Sequence, residues 1–562
     1  MKYLFRGGRR KVAAVMTIAL VASLSQVASS SASPVVSAKY GGNIKVGIFD
    51  SFPGYCMADN LANSALMGAR TIYETWVEQR SDGKIVPYLL KSWAHSADNK
   101  TWKLTVRDGI KFHDGTAVDG AALLTNLQAL RGVLTLQGKA PSPGTAGGFT
   151  ANIDKVVLTG PMEVTVYLYQ AESEYPDSLY ASGRFFARAP SQILSGAKCS
   201  TTPIGTGAFK LVSTKLSELV VTKNTTYWRK APNGDKLPYL DGITFTFLSE
   251  VAPRVQGVKS GALDAVMFTS AAEAKQIIDI RNVTKVKTIL SPADYYPSVW
   301  LNHNIAPFNS RNARLAFSFA MDRAKFVKVR QKGLGGVPTS IVGPNNIMYN
   351  TRAFQNFDLV KAKRYVADYK AETGKDLVFS MPYASGSVES LANGQMIKTF
   401  GAAAGFTVNL TPFTVAEIIQ RAFPQQFQAM SLLLMEGTGT AFIFPFIVSD
   451  MSGGNPNWVL KGTPLAILSG ILNLSRFSDP VSESLLRSAR ATSDQTKKAV
   501  LYKRATLRLQ QEAHMTNLIY QQYAFTYGSK VQGVGVLPLV AGGARRLVTN
   551  FGIDWTGVWK SN

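Results

Sequence analysis

Hydrophobic and polar residues alternate in the first stretch after the N-terminal region. Ile44, Val46 and Ile48 are separated by small or polar residues, and a period of two is typical of a β-strand. A helical pattern follows at residues 63–76. Between residues 102 and 241, short apolar runs alternate with Gly, Pro, Asn and Asp, which predicts mostly strands and turns.

Helical spacing of apolar residues becomes frequent in the second half of the chain. Leu315, Phe319 and Phe326 have this spacing within a helix predicted over residues 312–331, and a longer helical stretch is predicted over residues 483–514. Short apolar runs such as LVFSM and SLLLM separate the helical stretches. This alternation of helix and strand predicts an α/β lobe.

The N-terminal residues have the pattern of a secretory signal peptide. Five positive charges occupy residues 1–11, an apolar run fills residues 12–24, and small residues follow. We expect a signal peptide over residues 1–33 and a mature protein in the periplasm or on the outer face of the cell envelope. A membrane anchor is the alternative, but the run is shorter than the roughly 20 apolar residues of a membrane span. No Cys lies near the cleavage region, so no lipobox cysteine is expected.

Length and composition predict a globular protein with more than one lobe. The chain has 562 residues, 46% of them hydrophobic and 17% charged, and this length exceeds what one hydrophobic core usually serves. The formal net charge is +25, or +20 without the five charges of residues 1–11. The basic residues are scattered, so we expect no nucleic-acid partner. Attraction to cell-wall polymers or lipid headgroups stays open. We expect a monomer.

No sequence motif predicts catalysis or a metal centre. The four histidines have no metal-ligand spacing, and the nucleophile motif Gly-x-Ser-x-Gly is absent. We therefore expect no catalytic residue, no metal ion and no cofactor. Cys56 and Cys199 are expected to form a disulfide after export, and two unrelated buried thiols are the alternative.

Candidate chemistry is concentrated in the stretch TVRDGIKFHDGTAVDG, residues 105–120. It holds His113 and three Asp-Gly pairs. Asp-Gly pairs favour tight turns, so the runs WKLTV and IKFH around the first pair predict a hairpin. Asp119 precedes an Ala/Leu-rich run, where its carboxylate is placed to cap a helix. Turns and a cap account for these aspartates without a metal ion or proton transfer.

The same stretch resembles a signature segment of the family-5 extracellular solute-binding proteins, which are the oligopeptide, dipeptide and nickel receptors of ABC importers. Further resembling segments follow in the same order, including TTPIGTGAFKLVS, VQGVKSGALDAV and the helices at residues 484–514. Another is WLNHNIAPFNSRNARLAFSFAMDRAKFV, in which the matching residues are Asn302, Pro307, Arg314, Ala316 and Asp322.

The resemblance implies an α/β, two-lobed periplasmic-binding-protein-like fold of class II, or cluster C, with an extra β-rich subdomain in the first lobe. The core of lobe I is then expected at residues 40–75, 203–270 and 530–562, the extra subdomain at 76–202 and lobe II at 271–529. Two crossings between the lobes are expected near residues 268–272 and 527–530.

The resemblance also indicates where a ligand would bind and where this chain departs from the family. Peptide-binding members carry an aspartate that pairs with the amino terminus of the peptide. The corresponding stretch here, SLLLMEGTGTAFIFPF, has one carboxylate, Glu436, and has Thr438 or Gly439 at the aspartate position. A ligand ammonium group therefore lacks an obvious counter-ion in this stretch. The candidate ligand-binding residues are Phe52, Tyr55, Tyr295, Trp300, Asn302, Glu436, Thr438, Gly439 and Phe442.

The function implied by the resemblance is that of a receptor rather than an enzyme. We expect an exported substrate-binding component of an ABC importer, which closes two lobes around a ligand and presents it to the permease and ATPase complex. A peptide is the leading ligand. The alternatives are an oligosaccharide, an amphipathic metabolite or a metal chelate, a sensory or chaperone-like relative, and, more distantly, a secreted hydrolase.

Overall fold

The computed structural model describes residues 38–49, 63–134, 146–195, 201–215, 217–279, 285–422, 424–436, 439–450, 472–549 and 552–561. The strands in these ranges are β1 (Asn43–Ile48), β2 (Val77–Gln79), β3 (Ile85–Pro87), β4 (Leu90–His95), β5 (Thr101–Val106), β6 (Ile153–Gly160), β7 (Glu163–Leu168), β8 (Phe209–Thr214), β9 (Glu218–Lys223), β10 (Gly242–Phe247), β11 (Ala265–Phe268), β12 (Val286–Leu290), β13 (Tyr295–Leu301), β14 (Val378–Ala384), β15 (Thr407–Phe413), β16 (Ala429–Glu436), β17 (Met515–Asn517), β18 (Ala524–Gly528), β19 (Val531–Gln532) and β20 (Trp559–Lys560).

The helices in the same ranges are α1 (Asn63–Ile72), α2 (Gly120–Arg131), α3 (Ala146–Thr150), α4 (Tyr175–Tyr180), α5 (Pro190–Leu194), α6 (Val251–Ser260), α7 (Lys275–Ile278), α8 (Arg311–Ala320), α9 (Arg323–Arg330), α10 (Leu359–Thr373), α11 (Val388–Ala404), α12 (Val415–Ala422), α13 (Thr440–Ile443), α14 (Pro480–Ala491) and α15 (Gln495–Gln511). No helix in the described ranges combines the length and the apolar character needed to cross a membrane.

Strand β1 lies in the middle of a seven-stranded sheet whose order is β12-β18-β11-β1-β10-β9-β8. It runs parallel to β10 and β11, and the other neighbouring pairs are antiparallel. Ile44, Val46 and Ile48 are buried in one core with Phe245 and Trp555. The strand predicted from the alternating pattern is therefore confirmed. Its apolar side chains contribute to that core, as its central place in the sheet allows.

A four-stranded antiparallel sheet, in the order β4-β5-β7-β6, packs against α2. The Asp119 carboxylate caps α2 by accepting a hydrogen bond of 2.8 Å from the Ala122 N–H. Gly109 and Gly115 have φ angles of +78° and +88°, a region that glycine enters without steric cost. The helix cap and the turns at the first two Asp-Gly pairs, as predicted for this stretch, are confirmed.

The predicted hairpin across the first Asp-Gly pair is wrong in its second strand. Strand β5 pairs with β4 and β7, whereas residues 110–113 form no strand, and an isolated bridge joins Lys111 to Ala117. The two turns follow each other so closely that the residues between them are too few to pair with β5 as a strand. Ile110 and Phe112 are instead buried as part of a loop.

The remaining larger elements lie beyond β12. Strand β13 pairs antiparallel with β16 and β17, and β14 pairs in parallel with β15. Helices α8, α10 and α11 pack on one another, and α11 packs on β14 and β15. The helix predicted over residues 312–331 is two helices, because α8 ends at Ala320 and Asp322 caps α9 through the Lys325 N–H.

The chain passes between the seven-stranded sheet and the β16-β13-β17 sheet at two neighbouring segments. Residues 291–294 join β12 to β13, and residues 518–523 join β17 to β18. The two segments are bonded to each other, because the Ser291 N–H donates to the Tyr523 carbonyl over 2.9 Å and the Tyr523 N–H donates to the Ser291 hydroxyl over 2.8 Å. The connections between the sheets are therefore held side by side.

These connections differ from the crossings expected near residues 268–272 and 527–530. Strand β12 pairs with β18 along its whole length before the chain leaves the seven-stranded sheet. Both strands fall within the range 271–529 that the resemblance assigns to lobe II. The boundaries of the lobes themselves stay predictions.

One hydrophobic core extends from the four-stranded sheet into the elements beyond β12. Trp102 on β5 and Leu123 on α2 belong to the same buried cluster as Trp300 on β13 and Leu509 on α15. Contiguous apolar contact of this kind removes large side chains from water. The four-stranded sheet therefore packs directly on the part of the chain that contains β13.

Buried charges link the C-terminal segment to α1 and β2. The Glu78 carboxylate lies 2.6 Å from the Arg70 guanidinium and 3.2 Å from that of Arg545, and Arg545 also lies 3.6 Å from Asp554. Burial opposes ionisation of Glu78, but the two guanidinium groups outweigh it and lower the pKa of this carboxyl. These buried charges depend on one another, because an isolated buried ion is costly.

Replacing Glu78 with Gln should destabilise the protein strongly. The change leaves the Arg70 and Arg545 guanidinium groups buried without their shared carboxylate, which should lower the free energy of unfolding by about 3 to 5 kcal/mol. Urea denaturation measures this loss. The control is Asp108→Asn, because Asp108 is exposed and lies 3.8 Å from Lys91, and an exposed pair of this kind contributes under about 1 kcal/mol. Equal losses in the two variants would contradict the expectation.

The buried His113 should make stability fall as the pH falls. Burial lowers its pKa from 6.5 to about 4, and Nε2 lies 2.9 Å from the Gly207 carbonyl. Between these two pH values the unfolded chain binds more protons than the folded one, so acid favours unfolding. His113→Gln retains an N–H that can donate to Gly207 but does not titrate. Urea denaturation at about pH 7 and about pH 5 should show a smaller pH effect in the variant, and an unchanged pH effect would refute this assignment.

Candidate functional site

The candidate site lies where α13 meets α4. Strand β16 ends at Glu436, and α13 begins directly after Gly439, within the stretch that the sequence indicates as the ligand segment. Helix α13 contacts α4, which falls in the range predicted for the extra subdomain. Pro176 lies in the first turn of α4, where its missing N–H costs no helical hydrogen bond. Two short helices from distant parts of the sequence therefore face each other.

The Asp177 carboxylate of α4 fills the space beside Gly439. A Cβ atom added to Gly439 would lie 2.5 Å from Oδ2 and 2.6 Å from Oδ1 of Asp177. Oδ2 also accepts a hydrogen bond of 3.1 Å from the Ala441 N–H in α13. Gly439 has ordinary extended backbone angles, with φ −78° and ψ 147°. The reason for a glycine at this position is therefore the space that the carboxylate occupies rather than backbone strain.

Glu174, at the N-terminus of α4, makes the largest set of polar contacts across the site. Its Oε2 accepts hydrogen bonds from the Thr440 hydroxyl at 2.5 Å and from the Tyr502 hydroxyl at 2.7 Å. The Lys498 ammonium group lies 3.3 Å from Oε1. Because Lys498 and Tyr502 both belong to α15, this one carboxylate joins α4 to α13 and to α15.

The three carboxylates of this segment differ in their cationic partners. Glu172 pairs with Arg490 of α14, and Glu174 pairs with Lys498. Within the described residues, no Lys, Arg or His forms an ion pair with Asp177. Burial, followed by the nearby Glu174 charge, raises the pKa of Asp177 to about 7. The Asp177 carboxyl can therefore change its charge near neutral pH.

A cavity of about 550 Å³ lies between these elements. This volume falls in the range of small-molecule sites in proteins. The indole N–H of Trp102 is buried and has no acceptor among the described residues. The side chains and backbone that line the cavity come from the β2–β3 hairpin, β4, β5, α4, α13 and α15, and include Trp93, His95, Trp102, Glu174, Asp177, Gly439, Thr440, Gln495 and Lys498.

Gly439 is the one predicted ligand residue that lines this cavity among those the structure describes. Phe442, in α13, is buried in the neighbouring core. Its ring stacks on Phe149 with a centroid separation of 5.3 Å, and the Arg184 guanidinium lies 4.7 Å from its centroid. Aromatic packing and a cation–π contact therefore occupy both Phe442 and Arg184.

Three other predicted residues lie along or just after β13, outside the lining of this cavity. The Tyr295 ring meets Tyr523 edge to face with a centroid separation of 4.4 Å. Trp300 is fully buried. The Asn302 side-chain amide donates to two backbone carbonyls of the segment before β16, each over 3.0 Å. These contacts give each residue a role in packing, and their roles in ligand binding stay predictions.

Among the remaining predicted residues, the structure describes only the backbone of Glu436. Glu436 ends β16, where its backbone pairs with that of Tyr295. The others lie outside the described residues, namely Phe52, Tyr55, Thr438 and the two cysteines of the predicted disulfide, Cys56 and Cys199.

The sequence patterns do not point to Glu174, Asp177 or Trp102. The two acids lie in the segment AESEYPDSLY, which matches no functional motif and contains a helix start with Pro176. A compositional signal is present, because three carboxylates stand within six residues of a chain whose net charge is +25. That signal indicates an unusual segment but not the partner that it faces.

Replacing Gly439 with Ala should displace the Asp177 carboxylate and weaken its bond to the Ala441 N–H. A new methyl group in a packed site typically costs about 1 to 3 kcal/mol, which urea denaturation would detect. Adding Asp177→Ala to this variant should remove the clash. The double variant should therefore lose less free energy of unfolding than the two single variants lose together. The control is Gly528→Ala, where the added Cβ has its nearest neighbour at 3.7 Å. A neutral Gly439→Ala would contradict this account.

The chain is similar to known proteins in both sequence and structure. The family model described as "Bacterial extracellular solute-binding proteins, family 5 Middle" matches residues 84–454, which is more than half of the chain. The glutathione-binding protein GsiB of Pectobacterium atrosepticum is 24% identical over 543 residues, covering 94% of this chain and 95% of that protein. The nickel-binding periplasmic protein of Escherichia coli is 27% identical over 317 residues, covering 54% of this chain and 57% of that protein.

Solved structures share the fold. The binding protein AgaA from A. tumefaciens R10, in complex with agropinic acid, has a TM-score of 0.77 and 20% identity, covering 93% of this chain and 99% of that chain. The periplasmic binding protein DppA from Helicobacter pylori, in complex with the peptide STSA, has a TM-score of 0.75 and 18% identity, with the same coverage. The predicted α/β fold of the periplasmic-binding-protein type is therefore confirmed. The chain belongs to the bacterial extracellular solute-binding proteins of family 5.

Proposed function

We propose that this protein captures a peptide between two lobes and delivers it to the permease and ATPase complex of an ABC importer. The observation that carries the proposal is the cavity whose walls come from α4 and the four-stranded sheet on one side and from α13 and α15 on the other. A ligand in this cavity would touch both sides at once. The relative named for binding glutathione, a tripeptide, is similar over nearly the whole chain.

The charges of the cavity favour a zwitterionic ligand. The Asp177 carboxylate and the ion pair of Glu174 with Lys498 line the same space, and ionic groups of this kind complement a charged peptide better than an uncharged oligosaccharide. Trp93 and Trp102 add flat apolar surface, which suits side chains of varied shape. A metal chelate is the second candidate, because one relative is named as a nickel-binding protein.

Capture would require movement about the two segments that join the sheets. Residues 291–294 and 518–523 are short and adjacent, which is the arrangement of a hinge. Opening would separate α4 from α13 and α15 and would part the apolar core that they share, and closure with a ligand would bring them together again. The proposal includes export, with removal of residues 1–33, since the nickel-binding relative is named as periplasmic.

A thermal unfolding assay tests the proposal. A pool of dipeptides to pentapeptides should raise the melting temperature, because a ligand at one hundred times its Kd stabilises the folded state by about 2.7 kcal/mol. Oligosaccharides and nickel with histidine serve as the competing ligand classes. A shift with either of these and none with peptides would contradict the peptide assignment. Mass spectrometry of the recovered pool distinguishes a receptor from a hydrolase, because a receptor should return the peptides uncleaved.

A further inference from the structure

The geometry points to Asp177 as the group that binds the ammonium of the ligand, with the carboxylate delivered from α4 into the space that Gly439 leaves open. This inference rests on the proposed function and adds to it the chemical class of the ligand, a compound with a free amino group next to a carbonyl. The site is distinct from the residues predicted along β13.

The first argument is the balance of charge around the cavity. Glu172 and Glu174 each have a cationic partner, Arg490 and Lys498, but no cation of the described residues forms an ion pair with Asp177. Its Oδ2 accepts a hydrogen bond from the Ala441 N–H, and among the described residues no donor bonds to Oδ1. A partly buried carboxylate without an ion-pair partner loses solvation that nothing fully replaces, and a ligand ammonium would supply the missing positive charge.

The second argument is an unused donor in the same cavity. Trp102 is 2% exposed and lines the cavity, and its indole N–H has no acceptor among the described residues. Buried donors are nearly always paired, so this N–H in the cavity wall would gain a partner if a ligand oxygen reached it. An ammonium and a carbonyl oxygen together are what the first residue of a peptide offers.

The third argument is the fit of the glycine to the carboxylate. Gly439 has backbone angles that any residue can adopt, and the carboxylate atoms of Asp177 lie where a side chain at this position would begin. The pairing of a small residue with a carboxylate from another element leaves room for Asp177 in the wall of the cavity. A larger residue at position 439 would push the carboxylate away from its present place.

Protonation of Asp177 should oppose this binding. Burial and Glu174 hold its pKa at about 7 without a ligand, and the other ionisable groups near it are Glu172, Arg490 and, through Glu174, Lys498 and Tyr502. The carboxylate is the form that attracts an ammonium, so the affinity should weaken as the pH falls below about 7 and binding should release a proton.

The test compares two peptide pools on two variants. One pool contains dipeptides to pentapeptides with free amino termini, and the other contains the same peptides after N-acetylation. Wild-type protein should bind the free pool at least about tenfold more tightly, because a charge-assisted hydrogen bond is lost on acetylation. Asp177→Asn has the same shape but no charge and should lose this preference. Asp108→Asn, in an exposed turn, should retain it.

The outcomes separate this inference from the proposed function. If wild-type protein binds both pools equally, or if Asp177→Asn retains the preference for free amines, the assignment of Asp177 is refuted while the peptide receptor stands. If neither pool binds, both are refuted. The melting temperature of Asp177→Asn shows whether the variant is folded. The pH dependence of ligand binding by the wild-type protein is a second measurement that needs no variant. The ligand amine stays protonated below about pH 7, so an affinity that does not weaken between about pH 7 and about pH 5 would also refute the assignment.

Discussion

Pairing the carboxylates at the start of α4 with partners from the second half of the chain is the constraint on which the arrangement around the cavity depends. Buried ionised carboxylates are tolerated when hydrogen bonds and cations surround them. Those partners come from α13, α14 and α15, which are far from α4 in sequence. The polar contacts of Glu172 and Glu174 therefore fix how the four-stranded sheet is oriented against the second half of the chain, and the apolar core beside them supplies the bulk of the attraction.

Features set by local physics could be predicted from the sequence. The pattern around Val46 predicts a strand because alternate side chains of a strand face one core, and Asp119 predicts a helix cap because its bond reaches only to Ala122. Features that depend on distant partners could not be predicted in this way. The course of the chain between the two sheets follows from the pairing of β12 with β18, whose residues are separated by more than two hundred positions.

The candidate site also depends on a contact between residues that are distant in sequence. In the sequence alone, Gly439 is a residue without a side chain in a segment where the family resemblance leads us to expect an aspartate. In the fold, a carboxylate stands beside it, because Asp177 arrives from α4. No periodicity or motif connects these two positions, so the contact becomes visible only when the packing of α4 against α13 is known.

The two segments between the sheets also determine what kind of motion the protein can make. Since Ser291 and Tyr523 are bonded to each other in both directions, the segments cannot slide past one another or bend independently without breaking those bonds. If the protein opens by the proposed hinge, the two segments therefore bend together, as one pivot rather than as two.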